Sequence, residues 1–139
     1  MRIHPSVQTI VPIIAGATAY VVAFLIQHAI FRLQNSPDFL GFRQMYIFAA
    51  LVSLISIMVP IASGVATACL EKRRAIPMAL IAGAFGELIC SFFFTQFGAE
   101  LAGPRSLPFI TYISASMIYQ AIICAMAAGT FCFLRTRAA

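Results

Sequence analysis

Charged residues are scarce in this sequence: Asp, Glu, Lys and Arg make up 9% of it, where a soluble domain carries about a quarter. A water-soluble fold must still wet a polar exterior, and a chain that is 62% hydrophobic has too little charge to do so. Other shortages narrow the chemistry. There are two histidines, His4 and His28, and the four cysteines, Cys69, Cys90, Cys124 and Cys132, form no CxxC pair. That leaves no zinc-ligand spacing and no haem-attachment motif. A haem held by two histidines would need His4 and His28 together, and they fall near opposite ends of the first apolar stretch. No phosphate-cradling glycine loop and no zinc-protease pattern occurs. The expectation is no metal and no cofactor, with the cysteines serving as small apolar filler.

What is present is a set of long windows without charge: residues 3–31, 44–70, 75–99 apart from Glu87, and 106–134. A bilayer core about 30 Å thick takes about 20 helical residues, and each window exceeds that. The windows are continuous and rich in Ala, Leu, Ile and Phe rather than alternating, which argues against a β-barrel. Arg2 and the small residues Ala15-Gly16-Ala17 suggest a cleaved leader, but the apolar stretch runs on to Phe31, so the first segment reads as a true span. The fold class expected is all-α: a polytopic integral membrane protein, a compact bundle of four transmembrane helices in one domain over residues 1–139. The helices are expected near 7–32, 44–70, 75–97 and 109–134, with the segment 33–43 suited to lie along the headgroups. The very short connection after Leu70 makes the second and third helices an antiparallel hairpin. Small residues spaced by four, Ala62 and Ala66, Ala79 and Gly83, and Ala121, Ala125 and Gly129, mark candidate helix contacts.

The formal net charge of +5 could suggest nucleic acid, but the cations fall at helix ends rather than on one face. With four spans, Arg2, Lys72, Arg73, Arg74, Arg135 and Arg137 share one side, and Arg32, Arg43 and Arg105 the other. The positive-inside rule then places both termini in the cytoplasm, in a cell (inner) membrane. No nucleic-acid partner is expected. The cluster Glu71-Lys72-Arg73-Arg74 reads as a topology anchor beside anionic headgroups.

One letter breaks the third window. Glu87 has twelve uncharged residues before it, back to Arg74, and twelve after it, up to Glu100. A carboxylate at the centre of a membrane helix costs about 2.5–3.5 kcal/mol on insertion scales, so something must compensate it. Either the group is protonated, or it faces water or a donor. On its own helix Ser91 lies one turn on and could donate. Counting depth along the other helices brings Tyr20, Ser56, Tyr119 and Gln120 to a similar level. The candidate substrate- or ion-binding set is therefore Glu87, Ser91, Tyr20, Tyr119 and Gln120. A second, outer layer would hold Gln27, His28, Gln96 and Tyr112, with Thr95 and Thr111 beside them.

Two function classes follow. The first is a proton- or cation-coupled transporter or channel subunit using Glu87; four helices enclose little volume, so it would work as a homo-oligomer or with a partner membrane protein. In size and plan, four helices and one embedded glutamate, the chain resembles the small multidrug resistance transporters. There the acid is on the first helix and here on the third, so no residue carries over. The second class is a non-catalytic anchor or assembly subunit of a larger membrane complex. Enzymatic chemistry is not expected, because it needs a nucleophile, a base and a charge stabiliser converging at one place, and the sequence offers one acid.

Overall fold

A computed structural model of the chain describes residues 5–34, 42–95 and 107–138, and they form four helices. These are α1 (Pro5–Gln34), α2 (Phe42–Leu70), α3 (Ala75–Thr95) and α4 (Leu107–Arg137). The expected boundaries hold to within about three residues where they can be compared. The expected end of the third helix at residue 97 and the loop segment at 35–41 lie outside the described residues.

Three of the helices carry proline in the first turn: Pro5 in α1, Pro77 in α3 and Pro108 in α4. The first-turn N–H groups have no partner within the helix, so proline loses nothing there and its fixed φ suits a start. Pro12 and Pro60 are different, since each stands inside a helix. Pro60 has no N–H to offer the carbonyl of Ser56 and is fully buried, so its ring packs where helices meet. The α2–α3 connection is the turn 71–74. Glu71 closes it: its Oε1 accepts the backbone N–H of Arg73 at 2.8 Å and of Arg74 at 3.4 Å. One acid thereby satisfies donors just ahead of α3, as a capping residue does. The hairpin expected from the short connection is present.

In the bundle α2 and α3 meet in the middle, with α1 packed on both from one side and α4 on both from the other. The interior is made of small residues. Ala68, Ala79, Ala82, Cys124, Ala128, Ser63 and Thr67 are all fully buried, while Ile14, Leu54, Phe92, Ile118 and Met126 point outward. That is the reverse of a water-soluble core, where the bulkiest apolar chains go inside. It is what helices do when lipid tails already solvate Leu and Ile and only close backbone approach gains contact. Gly64 shows how close the approach is: a Cβ built there would fall 3.1 Å from the Ala128 nitrogen and 2.9 Å from the Ala127 Cβ.

The small-residue faces are only partly those marked by spacing of four. Ala79, Gly83 and Ala121 are buried contacts, but Ala62 is exposed, and α2 uses Ser63, Gly64, Thr67 and Ala68 in its place. On α4 the buried set is Ala121, Cys124 and Ala128 rather than Ala121, Ala125 and Gly129. A step of four residues overshoots a turn of 3.6, so a strict i+4 row drifts around the helix, whereas alternating three and four stays on one face.

Three helices are long and apolar enough to cross a membrane, over Ile10–Ile30, Ala75–Phe92 and Ile113–Arg137. On α2 the described apolar stretch is shorter, Leu54–Leu70. The described residues are thus all helical apart from the turn 71–74 and Ala138, and three of the four helices have the length and composition of membrane spans. Of the cysteines, Cys90 and Cys124 are buried, Cys132 is half-buried and Cys69 exposed, all free; the first two are the small filler expected.

Candidate functional site

Glu87 lies twelve residues after Ala75 and eight before Thr95 on α3, or about 18 Å and 12 Å from the two helix ends at 1.5 Å per residue. It is 8% exposed. Its nearest neighbours in sequence decide what can reach it. Gly86 removes a side chain at the α1 contact, and a Cβ there would lie 2.6–2.8 Å from Cγ, Cβ and Cδ1 of Tyr20. That is closer than real Cβ atoms approach, so Tyr20 can cross α3 at this level only because position 86 is glycine. The phenol then passes the helix backbone and donates to Glu87 Oε2 at 2.7 Å. Tyr20 is 1% exposed, so the bond forms in a dry interior.

The other carboxyl oxygen is taken from two further directions. Ser116 on α4 donates to Oε1 at 2.5 Å, and Ser91, one turn on along α3, donates to the same atom at 3.3 Å. Three hydroxyls from three helices thus converge on one carboxyl. Hydroxyls donating to a carboxylate make short, charge-assisted bonds and offset part of its desolvation. Among the described residues Glu87 forms no ion pair. The nearest cation in sequence, Arg74, stands thirteen residues away at the far end of α3, about 20 Å along the axis.

Of the residues expected around Glu87, Tyr20 and Ser91 are brought to it. Gln120 is not hydrogen-bonded to it: its Oε1 is buried and has no partner among the described residues. Ser63 Oγ, also buried, is in the same position. Tyr119 is turned away. It is 60% exposed and lines a groove of about 460 Å³ between α2 and α4, with Ile57, Val65 and Met126. It neighbours Gln120 in sequence, but a helix advances about 100° per residue, so two successive side chains do not face one site.

Ser116 is the member that depth counting did not find. No signal in the sequence singled it out: at about 100° per residue Ser116 lies well round the helix from Cys124 and Ala128, which are fully buried.

The residues of the expected outer layer that the structure describes pair with other residues. Gln27 on α1 donates its Nε2 to Ser56 Oγ on α2 at 2.5 Å, joining a residue assigned to the outer layer with one assigned to the middle. His28 stacks on Phe24 of its own helix, ring centroids 6.4 Å apart and planes 9° from parallel. Thr111 is exposed on α4. Gln96 and the side chains of Thr95 and Tyr112 lie outside the described residues. No grouping of three His, Cys, Asp or Glu side chains able to hold a metal occurs among the described residues.

No protein-family model, curated protein or solved structure matches the chain. The functional reading therefore stands on the site itself.

Proposed function

We propose that the chain is a four-span integral membrane protein, with both termini on the cytoplasmic side of the cell membrane, that works as a proton- or cation-coupled transporter or channel subunit. Glu87 is its ion-exchanging group. The observation that carries this reading is the convergence of Tyr20, Ser91 and Ser116 on one mid-helix carboxyl that has no cation beside it among the described residues. A purely structural polar tie needs no ionisable group, since an amide or hydroxyl bridges helices at lower desolvation cost. An acid that ties α1 and α4 to α3 also changes the strength of both ties when it gains or loses charge. Two grooves on the described surface do not include the site: that of about 480 Å³ between α1 and α3 is lined by residues such as Ile14, Val22 and Phe85, and that between α2 and α4 by Ile57, Val65 and Tyr119. Passage of an ion along a pathway would then use an interface between copies.

The test is proton-linked flux in liposomes containing the purified chain. Wild-type flux lost in Glu87→Gln supports the reading; wild-type flux unchanged in that variant removes Glu87 from the mechanism.

A second reading, an anchor or assembly subunit in a larger membrane complex, is favoured by Tyr119. This phenol sits near the middle of α4 and faces outward, with no hydrogen-bond partner among the described residues. In hydrocarbon a hydroxyl gains from a partner, and a neighbouring polypeptide would supply one. Isolation in mild detergent separates the readings: co-purification of a stoichiometric second polypeptide favours the subunit, and a chain active alone favours the transporter.

A further inference from the structure

The arrangement of oxygens around Glu87 bears on which ion the site takes. Divalent cations gather six or more oxygens about 2.0–2.6 Å from a common centre. Here the oxygens touch one another instead: Tyr20 lies against Oε2 at 2.7 Å, and Ser116 and Ser91 against Oε1 at 2.5 and 3.3 Å. To seat a metal cation the hydroxyls would have to be driven off the carboxyl, and Tyr20, 1% exposed with its ring against Gly86, has little room to retreat. A proton needs no such space, because it rides on an oxygen already in a hydrogen bond.

It does need one bond reversed. A neutral carboxylic acid has a single O–H to donate, and the hydroxyl that had been donating to that oxygen must accept it and turn its own hydrogen elsewhere. A serine or threonine in a helix can donate to the carbonyl four residues back. This protein uses that bond twice, from Thr67 to the Ser63 carbonyl and from Thr130 to the Met126 carbonyl, both at 2.9 Å. Ser116 has the same option toward the backbone carbonyl of Tyr112. Tyr20 lacks it, since its hydroxyl stands a ring's length from its own backbone. The other titratable side chains around the carboxyl are Tyr20 from α1, Cys90 on α3 and Cys124 from α4, none of them a carboxylate or a basic group, while Cys69, the titratable side chain described on α2, is exposed near the terminal end of that helix.

We propose that the ion Glu87 takes is a proton, received from water on Oε1, and that Ser116 reverses its hydrogen bond to accept it while Tyr20 goes on donating to Oε2. This rests on the reading of Glu87 as the ion-exchanging group and names its ion. One O–H bond forms at Oε1 as one breaks in the donating hydronium, and the charge of the site goes from −1 to 0. The Ser116 hydrogen moves from Oε1 to the carbonyl of Tyr112. The α1–α3 tie keeps its direction and the α3–α4 tie changes direction without being lost.

The experiment is infrared spectroscopy of the purified protein in lipid vesicles, with the acid carbonyl band of Glu87 identified by its loss in Glu87→Gln. The band is expected to grow as pH falls and to be unaffected by sodium, potassium or magnesium chloride at constant pH. In Ser116→Ala the acid loses its acceptor and its band moves to higher wavenumber. Ser116→Thr, which keeps the hydroxyl, returns the band to the wild-type position, whereas Tyr20→Phe, which removes the donor to the carbonyl oxygen Oε2, raises the band on its own account. Loss of the band on adding a metal cation at fixed pH would overturn the proposal, as would a band that Ser116→Ala leaves in place. Those results would leave a Glu87-dependent flux standing, whereas flux indifferent to Glu87→Gln would remove the wider reading.

Discussion

Tyr20 and Glu87 are sixty-seven residues apart in the chain and joined by a 2.7 Å hydrogen bond in the interior of the bundle. The bond needs both partners and the glycine between them. Tyr20→Phe keeps the ring and removes the donor, leaving Oε2 without it in a dry environment. The expected loss of stability is about 1–3 kcal/mol on the scale for charged or buried hydrogen bonds, and nearer 1 if the unfolded chain stays in the membrane and finds partners there. Reversible denaturation in mixed micelles reads it directly; a variant as stable as wild type would show that the tie carries no energy.

Gly86→Ala should cost about 1–3 kcal/mol, because the added methyl meets Cγ, Cβ and Cδ1 of Tyr20 at 2.6–2.8 Å. The clash is with the side chain, its Cβ included, and not with backbone, so it should shrink sharply when Tyr20 is replaced by glycine. A double-mutant cycle measures this, and equal costs of Gly86→Ala in both backgrounds would place the strain elsewhere.

Glu71 stands outside the apolar spans and holds the α2–α3 turn through the N–H groups of Arg73 and Arg74. Glu71→Ala removes that acceptor while leaving the basic cluster, and should cost about 1 kcal/mol, the scale of losing a capping side chain. Hydrogen exchange at the amides of Arg73 and Arg74 localises the effect. Faster exchange there, with α4 unchanged, is the expected pattern.

The helices were legible in the sequence because uncharged runs of that length have few other solutions in lipid. Glu87 was legible because it interrupts one of them. The hydroxyls around it were harder, and Tyr119 shows why. Depth along an axis can be counted from helix ends, and it picked out Tyr20, which the structure hydrogen-bonds to Glu87; Ser91 followed from its place one turn on along the same helix. Direction around the axis depends on which face of each helix the neighbours claim, and a single sequence carries that only in the stripe of small residues. On α4 the stripe runs through Cys124 and Ala128, which sends Tyr119 outward, nine residues or half a revolution from Ala128, but does not by itself select Ser116. The pairing of Gln27 with Ser56 across α1 and α2 was missed for a related reason. Layers drawn from counted depths are only as sharp as the helix ends, and a long side chain such as glutamine reaches across one turn.

The cysteines provide a map of the same packing. Cys69 is exposed, Cys132 half-buried, and Cys90 and Cys124 buried. A small membrane-permeant maleimide added to the folded protein should modify Cys69 first and Cys132 more slowly, with Cys90 and Cys124 reacting only after denaturation. Mass spectrometry of the peptides gives the order. Early labelling of Cys124 would mean that α4 does not pack against Gly83 as found.

Two tyrosines give the closing contrast. Tyr119 and Tyr20 both sit well inside apolar helices, one 60% exposed and the other 1%. The Tyr119 hydroxyl has no partner among the described residues, so Tyr119→Phe should leave the stability of the isolated chain within about 0.5 kcal/mol of wild type, as for other exposed changes. Tyr20→Phe should lower it by the amount argued above. The comparison also bears on partners. If a second copy or another polypeptide covers the α2–α4 groove, Tyr119→Phe weakens that association while sparing the chain's own stability, and crosslinking or light scattering in mild detergent would register a loss of assembly that Tyr20→Phe does not produce at the same folded fraction. An assembly unmoved by Tyr119→Phe would leave that phenol facing lipid and take from the subunit reading the one observation that favours it.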